Sequence, residues 1–138
     1  MWTYEYSVET SVEPATIWRL WSDVANWGSW NPDIEAITLN GPFAVGSTFD
    51  MTPVGQEPVR LRLEDVVENE RFFDVAEFGG LVLRTGHLIE PIAAGTTRIV
   101  YRMEIEGEGG EEVGPQISAD FPETIAGLLK AAQDASAS

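Results

Sequence analysis

The chain has 138 residues, of which 43% are hydrophobic and 22% are charged. This length suits one domain with a sizeable core, and the composition is that of an ordinary globular protein, so we expect a single domain over residues 1–138. Acidic residues outnumber basic residues by 23 to 8, which gives a formal net charge of −15 at pH 7. Such a charge repels phosphate backbones and anionic lipid surfaces, so nucleic acid is not an expected partner.

Residue usage also restricts metal sites and cellular location. The chain has no cysteine and one histidine, which excludes disulfides, thiolate metal sites and a histidine–carboxylate cluster for zinc or iron. We therefore expect no metal and no cofactor. No apolar run approaches the length of a membrane span, and the N-terminus lacks a basic-then-apolar secretion signal. We expect a cytoplasmic protein without membrane insertion.

The N-terminal region contains all five tryptophans within its first thirty residues. A first strand is predicted, because apolar and polar residues alternate from Trp2 to Glu9. Pro14 suits the first position of a short helix, and Asp23 suits the N-cap of a second one. That second helix places Trp27 and Trp30 three residues apart on one face. We expect the two helices to close one end of a sheet, with Trp30 nearest a cavity mouth.

The middle of the chain is a series of short strands separated by glycine, proline and polar turns. The predicted strands cover residues 34–40, 47–53, 58–67, 71–79, 81–90 and 96–106. The segment from Gly107 to Gly114 is acidic and rich in glycine, so we expect a solvated connection there.

The C-terminal segment changes to a helical period. Its apolar residues recur at helical spacing: Ile117, Phe121, Ile125, Leu128, Leu129 and Ala132. Pro122 interrupts this pattern, so the helix either is kinked there or begins there after an irregular turn. The element order predicts an α+β fold in which a seven-stranded antiparallel sheet wraps around a long C-terminal helix. One helix cannot fill the inner side of such a twisted sheet, so we expect a cavity between them.

Five segments of the chain match motifs of a known family, and they are Val12 to Trp18, Asp23 to Pro32, Gly46-Ser47, Gly95 to Arg98, and Leu128 to Lys130. Through these segments the chain resembles the START-like helix-grip (SRPBCC) superfamily, and most closely its polyketide cyclase/dehydrase-like branch. The resemblance spans nearly the whole chain and implies one START-like domain with a lipophilic small-molecule cavity. These motifs build caps, turns and packing, and they do not specify a reaction.

His87 is the only histidine. In strand 81–90 it shares a phase with four mostly apolar residues, Leu81, Leu83, Thr85 and Ile89, while the other phase contains Arg84 and Glu90. We therefore expect His87 to point inward. There it would act as a general base or hydrogen-bond a ligand, or else be a core histidine satisfied by a tyrosine or the backbone.

Tyr101 is a second inward polar candidate. It alternates in phase with Ile99, Met103 and Ile105, so its hydroxyl is either a donor to a ligand oxygen or a polar rim on a core aromatic.

The phase of strand 71–79 is ambiguous. One phase buries Phe73, Val75 and Glu77, and the other buries Phe72, Asp74, Ala76 and Phe78. Either choice turns a carboxylate inward unless a bulge corrects the register, although a rim position in water is the more usual fate of an acid. An inward acid near His87 would form a general acid–base pair.

Three functions remain open on the sequence. The first is binding of a hydrophobic or aromatic small molecule (lipid, polyketide or isoprenoid-like) between the sheet and the C-terminal helix. The expected wall is Trp30, Phe49, Met51, Leu61, Leu63, Leu83, Thr85, His87, Tyr101, Met103, Phe121 and Ile125. The second is a cyclase or dehydratase with His87 as acid/base and Tyr101 as donor. The third is a protein-interaction or dimerisation module, and the chain is expected to be a monomer or a homodimer.

Overall fold

Seven antiparallel strands form one sheet in a computed structural model that describes the backbone of residues 1–137 and their side chains except those of Phe78 and residues 135–137. The strands are β1 (Trp2–Thr10), β2 (Ile34–Asn40), β3 (Thr48–Pro53), β4 (Val59–Val67), β5 (Arg71–Phe78), β6 (Leu81–Ala93) and β7 (Thr96–Glu106). Their spatial order is β1-β7-β6-β5-β4-β3-β2. This arrangement confirms the predicted α+β helix-grip fold.

Two helical segments connect β1 to β2. Helix α1 covers Pro14–Ser22, and Pro14 is its first residue. Proline is tolerated there because an N–H at the first position of a helix has no intrahelical acceptor. The second segment, Val24–Ser29, is a 3₁₀ helix. Asp23 does not cap it in the predicted way, because the Asp23 carboxylate makes no bond to a backbone N–H of the helix. It accepts a hydrogen bond of 2.8 Å from the Asn26 side-chain amide instead.

Strand β6 is longer than its alternation predicted. It continues past Glu90 to Ala93, and its pairing with β7 shifts register between Pro91 and Ala93. Proline cannot donate to a ladder, so a strand that contains one tends to carry such an irregularity. The other predicted strand bounds agree with the observed ones to within about one residue.

The prediction of a solvated connection from Gly107 to Gly114 is correct for residues 107–109, which form an exposed turn, and wrong from Gly110 onwards. Residues Gly110–Ile117 form helix α2, which packs against β1 and β7. Gly110 and Gly114 are buried, and a Cβ on Gly114 would lie only 2.5 Å from Cε3 of Trp2. Glycine is a poor helix former, but here its lack of a side chain allows the helix to approach the sheet.

Helix α3 covers Phe121–Ala137 and follows a short 3₁₀ turn over Ser118–Asp120. Pro122 is its second residue, so of the two alternatives the structure shows a helix that begins at this point and not one kinked in its interior. The apolar stripe of α3 is buried, and the helix packs against α1 and β1. No helix within residues 1–137 is long and apolar enough to cross a membrane.

Candidate functional site

A cavity of about 670 Å³, partly open to solvent, lies between the inner face of the sheet and the helical segments. Strands β3 to β7 contribute its walls, the 3₁₀ helix contributes Trp27, and the junction of α2 and α3 contributes Gln116, Ile117, Ala119, Asp120 and Phe121. Its volume falls within the range of sites that hold small molecules.

Most of the side chains that the sequence assigned to a cavity wall do line this space. They are Trp30, Phe49, Met51, Leu61, Leu83, Thr85, His87, Tyr101, Met103 and Phe121. Leu63 and Ile125 do not line it, and both belong to the packed core. Periodicity identifies the inner face of an element, but it does not distinguish a position beside a void from one beneath packed neighbours.

The ambiguous phase of β5 is resolved in favour of the set that contains Asp74. Phe72, Asp74 and Ala76 point into the cavity, whereas Glu77 is exposed on the other face. The side chain of Phe78, which belonged to the inward phase, lies outside the described residues. The acid that faces the interior is therefore Asp74. It is buried, and it does not lie in water at the rim, which is the more usual position of an acid.

Asp74 is buried, with 4% of its surface exposed. Across the sheet it is paired with Leu63 on β4 and Thr85 on β6. Its Oδ1 atom has no hydrogen-bond partner among the described residues. Burial without a charged partner raises the pKa of Asp74 to about 8. At neutral pH the carboxyl is therefore mostly protonated and is ready to hydrogen-bond a molecule in the cavity.

His87 lies on β6 and, like Asp74, faces the cavity. It is paired with Phe72 on β5 and with Tyr101 on β7. Its Nδ1 is 3.3 Å from the carbonyl oxygen of Phe72. A carbonyl only accepts, so Nδ1 carries the hydrogen and Nε2 is left as an acceptor. Burial lowers the pKa of His87 to about 3, with only partial opposition from the Phe72 bond. A neutral imidazole of this kind accepts a hydrogen bond well but is a weak proton acceptor.

Tyr101 holds a tryptophan in place through its hydroxyl. The Trp21 indole N–H donates to the Tyr101 hydroxyl oxygen at 3.3 Å, and the Trp27 indole N–H donates to the Trp21 carbonyl oxygen at 2.9 Å. Burial raises the pKa of Tyr101 well above its usual range, so the phenol stays protonated. Its hydrogen remains available as a donor.

The sequence did not single out several residues that line the cavity. Trp21 and Trp27 line it as well as Trp30, although only Trp30 was expected there. Asp33 and Asp120 also line it, and burial together with the nearby Asp33 raises the pKa of Asp120. The signal that would have found these acids is weak, because both lie in segments without strand alternation.

The charged side chains on the described cavity wall are all acidic. The cavity-lining residues of the described chain include three aspartates but no lysine and no arginine. The same part of the chain contains no cluster of three or more histidine or acidic side chains able to hold a metal ion. Most of the other lining side chains are apolar or aromatic, with a few uncharged polar ones among them, so the arrangement suits an organic molecule that has a large apolar surface.

Comparison with known proteins supports the resemblance seen in the sequence. The model of a family described as polyketide cyclase/dehydrase and lipid transport matches residues 1–137. None of the curated proteins compared with the chain matches it in sequence.

Many solved structures share the fold. Norcoclaurine synthase from Thalictrum flavum, solved in complex with dopamine and hydroxybenzaldehyde, is 17% identical with a TM-score of 0.78, and the alignment covers 96% of this chain and 87% of that one. A START superfamily protein from Mycobacterium smegmatis is 17% identical with a TM-score of 0.71 and 94% of each chain covered. Ara h 8.0201 is 16% identical with a TM-score of 0.79, covering 96% of this chain and 98% of that one. At these identities the likeness is one of fold.

Proposed function

Because the chain belongs to the polyketide cyclase/dehydrase and lipid transport family, we propose that it binds a hydrophobic or aromatic small molecule in the cavity between the sheet and the C-terminal helices. The observation that carries this proposal is the cavity of about 670 Å³ with a mostly apolar and aromatic wall. Contacts between this wall and an apolar ligand would supply most of the affinity, at roughly 25 cal/mol per Å² buried.

A small number of polar groups would orient the ligand. The Nε2 atom of His87 offers an acceptor, and the carboxyl of Asp74 offers the hydrogen-bonding atom that has no partner. Few polar groups on an apolar wall are typical of sites that bind small organic molecules. One structural neighbour, the norcoclaurine synthase, was itself solved with small aromatic molecules in complex.

Binding of a neutral fluorescent probe, N-phenyl-1-naphthylamine, tests this proposal. We expect saturable 1:1 binding by the natural chain. In the variant Ala76→Phe a phenyl ring enters the cavity, because Ala76 lines it, and the affinity should fall at least about tenfold. The matched control is Ala36→Phe, since Ala36 is exposed on β2 and does not line the cavity.

Three results would count against the proposal. They are no saturable binding by the natural chain, equal losses in both variants, or undiminished binding in a cooperatively folding Ala76→Phe protein. Native mass spectrometry of the purified protein would in addition reveal a small molecule that copurifies with it.

A second candidate function is a proton-transfer enzyme of the cyclase or dehydratase type. One observation favours it: the pKa of Asp74, about 8, is close to neutrality, as a general acid requires. In this form of the hypothesis Asp74 takes the role that the sequence analysis gave to His87. A molecule that copurifies with Asp74→Asn, incubated afresh with the natural chain and with Asp74→Asn, should change its mass or retention time only with the natural chain. Equal turnover by both proteins would exclude Asp74 from the reaction.

A further inference from the structure

We infer that the ligand of this cavity is a cation, namely an amine on an apolar or aromatic body whose ammonium group pairs with the Asp74 carboxylate. This inference rests on the proposed function and specifies its ligand class. It begins from Asp74, which lines the cavity, is almost completely buried and has an Oδ1 atom without a hydrogen-bond partner among the described residues. A buried acceptor without a partner is costly, so a ligand that supplies the missing donor gains from it.

The charges around the cavity select among the possible donors. Asp33 and Asp120 line the same space as Asp74, and no lysine or arginine of the described chain does so. The potential of the whole chain has the same sign, since its formal net charge is −15. A carboxylate ligand would therefore meet three acids without a countercharge, whereas an ammonium ion is attracted by the negative potential on entry and pairs with Asp74 when that carboxyl is ionised.

The rest of the wall is also suited to a cation. The rings of Trp21, Phe72 and Tyr101 line the cavity, and aromatic rings stabilise ammonium groups through their quadrupoles. His87 adds no opposing charge, because burial lowers its pKa to about 3 and keeps the imidazole neutral. An alkyl or aryl group attached to the amine would occupy the apolar remainder of the space.

Pairing with an ammonium ion requires the carboxylate form of Asp74, so the affinity should depend on pH. On the neighbouring strands, Leu63 and Thr85 lie opposite Asp74 and do not titrate. The other titratable groups that line the cavity are Asp33, His87, Tyr101 and Asp120. With a pKa of about 8, about one tenth of Asp74 is ionised at pH 7 and about nine tenths at pH 9. A primary amine remains largely protonated over this interval. The affinity for an amine should thus rise about tenfold from pH 7 to pH 9.

Three probes test the inference: 4-phenylbutylamine, 4-phenylbutanol and 4-phenylbutyrate. Each has a phenyl group on a chain of the same number of carbons, and they differ only in the terminal group. Their dissociation constants are measured by displacement of N-phenyl-1-naphthylamine at pH 7, 8 and 9. For the natural chain we expect the amine to bind most tightly and the carboxylate least tightly. Only the amine should gain affinity as the pH rises.

Two variants assign the effect to Asp74. In Asp74→Asn the ratio of amine to alcohol affinity should fall at least about tenfold at pH 9, and the pH response of the amine should disappear. The control Glu77→Gln removes the same charge from the exposed face of the same strand, and it should keep both the ratio and the pH response.

The possible failures are distinguishable. If the neutral probe and all three phenyl compounds fail to bind, the proposed function is wrong and the inference falls with it. If the neutral probe binds but the alcohol or the carboxylate binds as tightly as the amine, only the inference is overturned. A ratio of amine to alcohol affinity that falls less than about tenfold at pH 9 in Asp74→Asn also overturns it, and the pH series on the natural chain decides the matter even if that variant folds poorly.

Discussion

Replacement of Asp74 by asparagine should make the protein less sensitive to pH and more stable near neutrality. Burial raises the pKa of Asp74 in the folded chain from an ordinary value of 3.8 to about 8. The folded state therefore binds this proton more tightly than the unfolded state does. The corresponding stability is fully present below about pH 4 and is lost as the pH rises towards 8.

The size of this effect follows from the width of the window. Each pH unit between the two pKa values costs about 1.4 kcal/mol of unfolding free energy. From pH 5 to pH 7 the natural chain should lose about 2–3 kcal/mol through Asp74 alone. Asparagine has nearly the same shape and does not ionise. The stability advantage of Asp74→Asn over the natural chain should therefore be about 2–3 kcal/mol larger at pH 7 than at pH 5.

Urea unfolding followed by tryptophan fluorescence measures this difference at several pH values. The signal is suitable because Trp18, Trp21, Trp27 and Trp30 are buried in the folded chain. Glu77→Gln serves as the control, since it removes one negative charge from an exposed position on the same strand. A difference between Asp74→Asn and the natural chain that stays constant within about 0.5 kcal/mol from pH 5 to pH 8 would refute the reasoning.

Two further substitutions test the packing around the tryptophans. Gly127→Ala should destabilise the protein by about 1–3 kcal/mol, because a Cβ on Gly127 would collide with the backbone carbonyl oxygen of Trp30. The control Gly28→Ala should change stability by less than about 1 kcal/mol, since a Cβ there has ordinary room, and equal thermal shifts in the two variants would contradict the argument. Tyr101→Phe should cost about 1–3 kcal/mol in urea unfolding, because it leaves the buried Trp21 indole N–H without its acceptor. A loss below about 0.5 kcal/mol would show that this hydrogen bond contributes little.

Local patterns in the sequence were sufficient for most of the fold. The strands were predictable because alternation has a period of two and the turns between them contain glycine, proline and polar residues. The same alternation placed His87 and Tyr101 on the inner face, where the structure has them. Helix α1 was predictable from Pro14 and its apolar residues, because these signals act within one turn of the chain.

Other features depend on contacts between distant residues. Helix α2 was missed because Gly110 and Gly114 disfavour a helix locally, and only their close approach to β7 and to Trp2 explains them. Likewise, nothing local separates Leu63 in the solid core from Leu61 on the cavity wall, because that depends on what packs above each side chain.

The identity of the inward acid belongs to this second class. Strand β5 carries apolar residues and one carboxylate in each phase, so its own sequence is equally compatible with burial of either face. Pairing with β4 and β6 selects the phase with Phe72 and Asp74 inside. The sequence by itself determined the sheet and the helices that enclose the cavity, because strands, turns and helical stripes are local patterns. Only the tertiary structure decided that an unpartnered carboxyl faces its interior, because the neighbouring strands, and not the residues of β5, fix which face is buried.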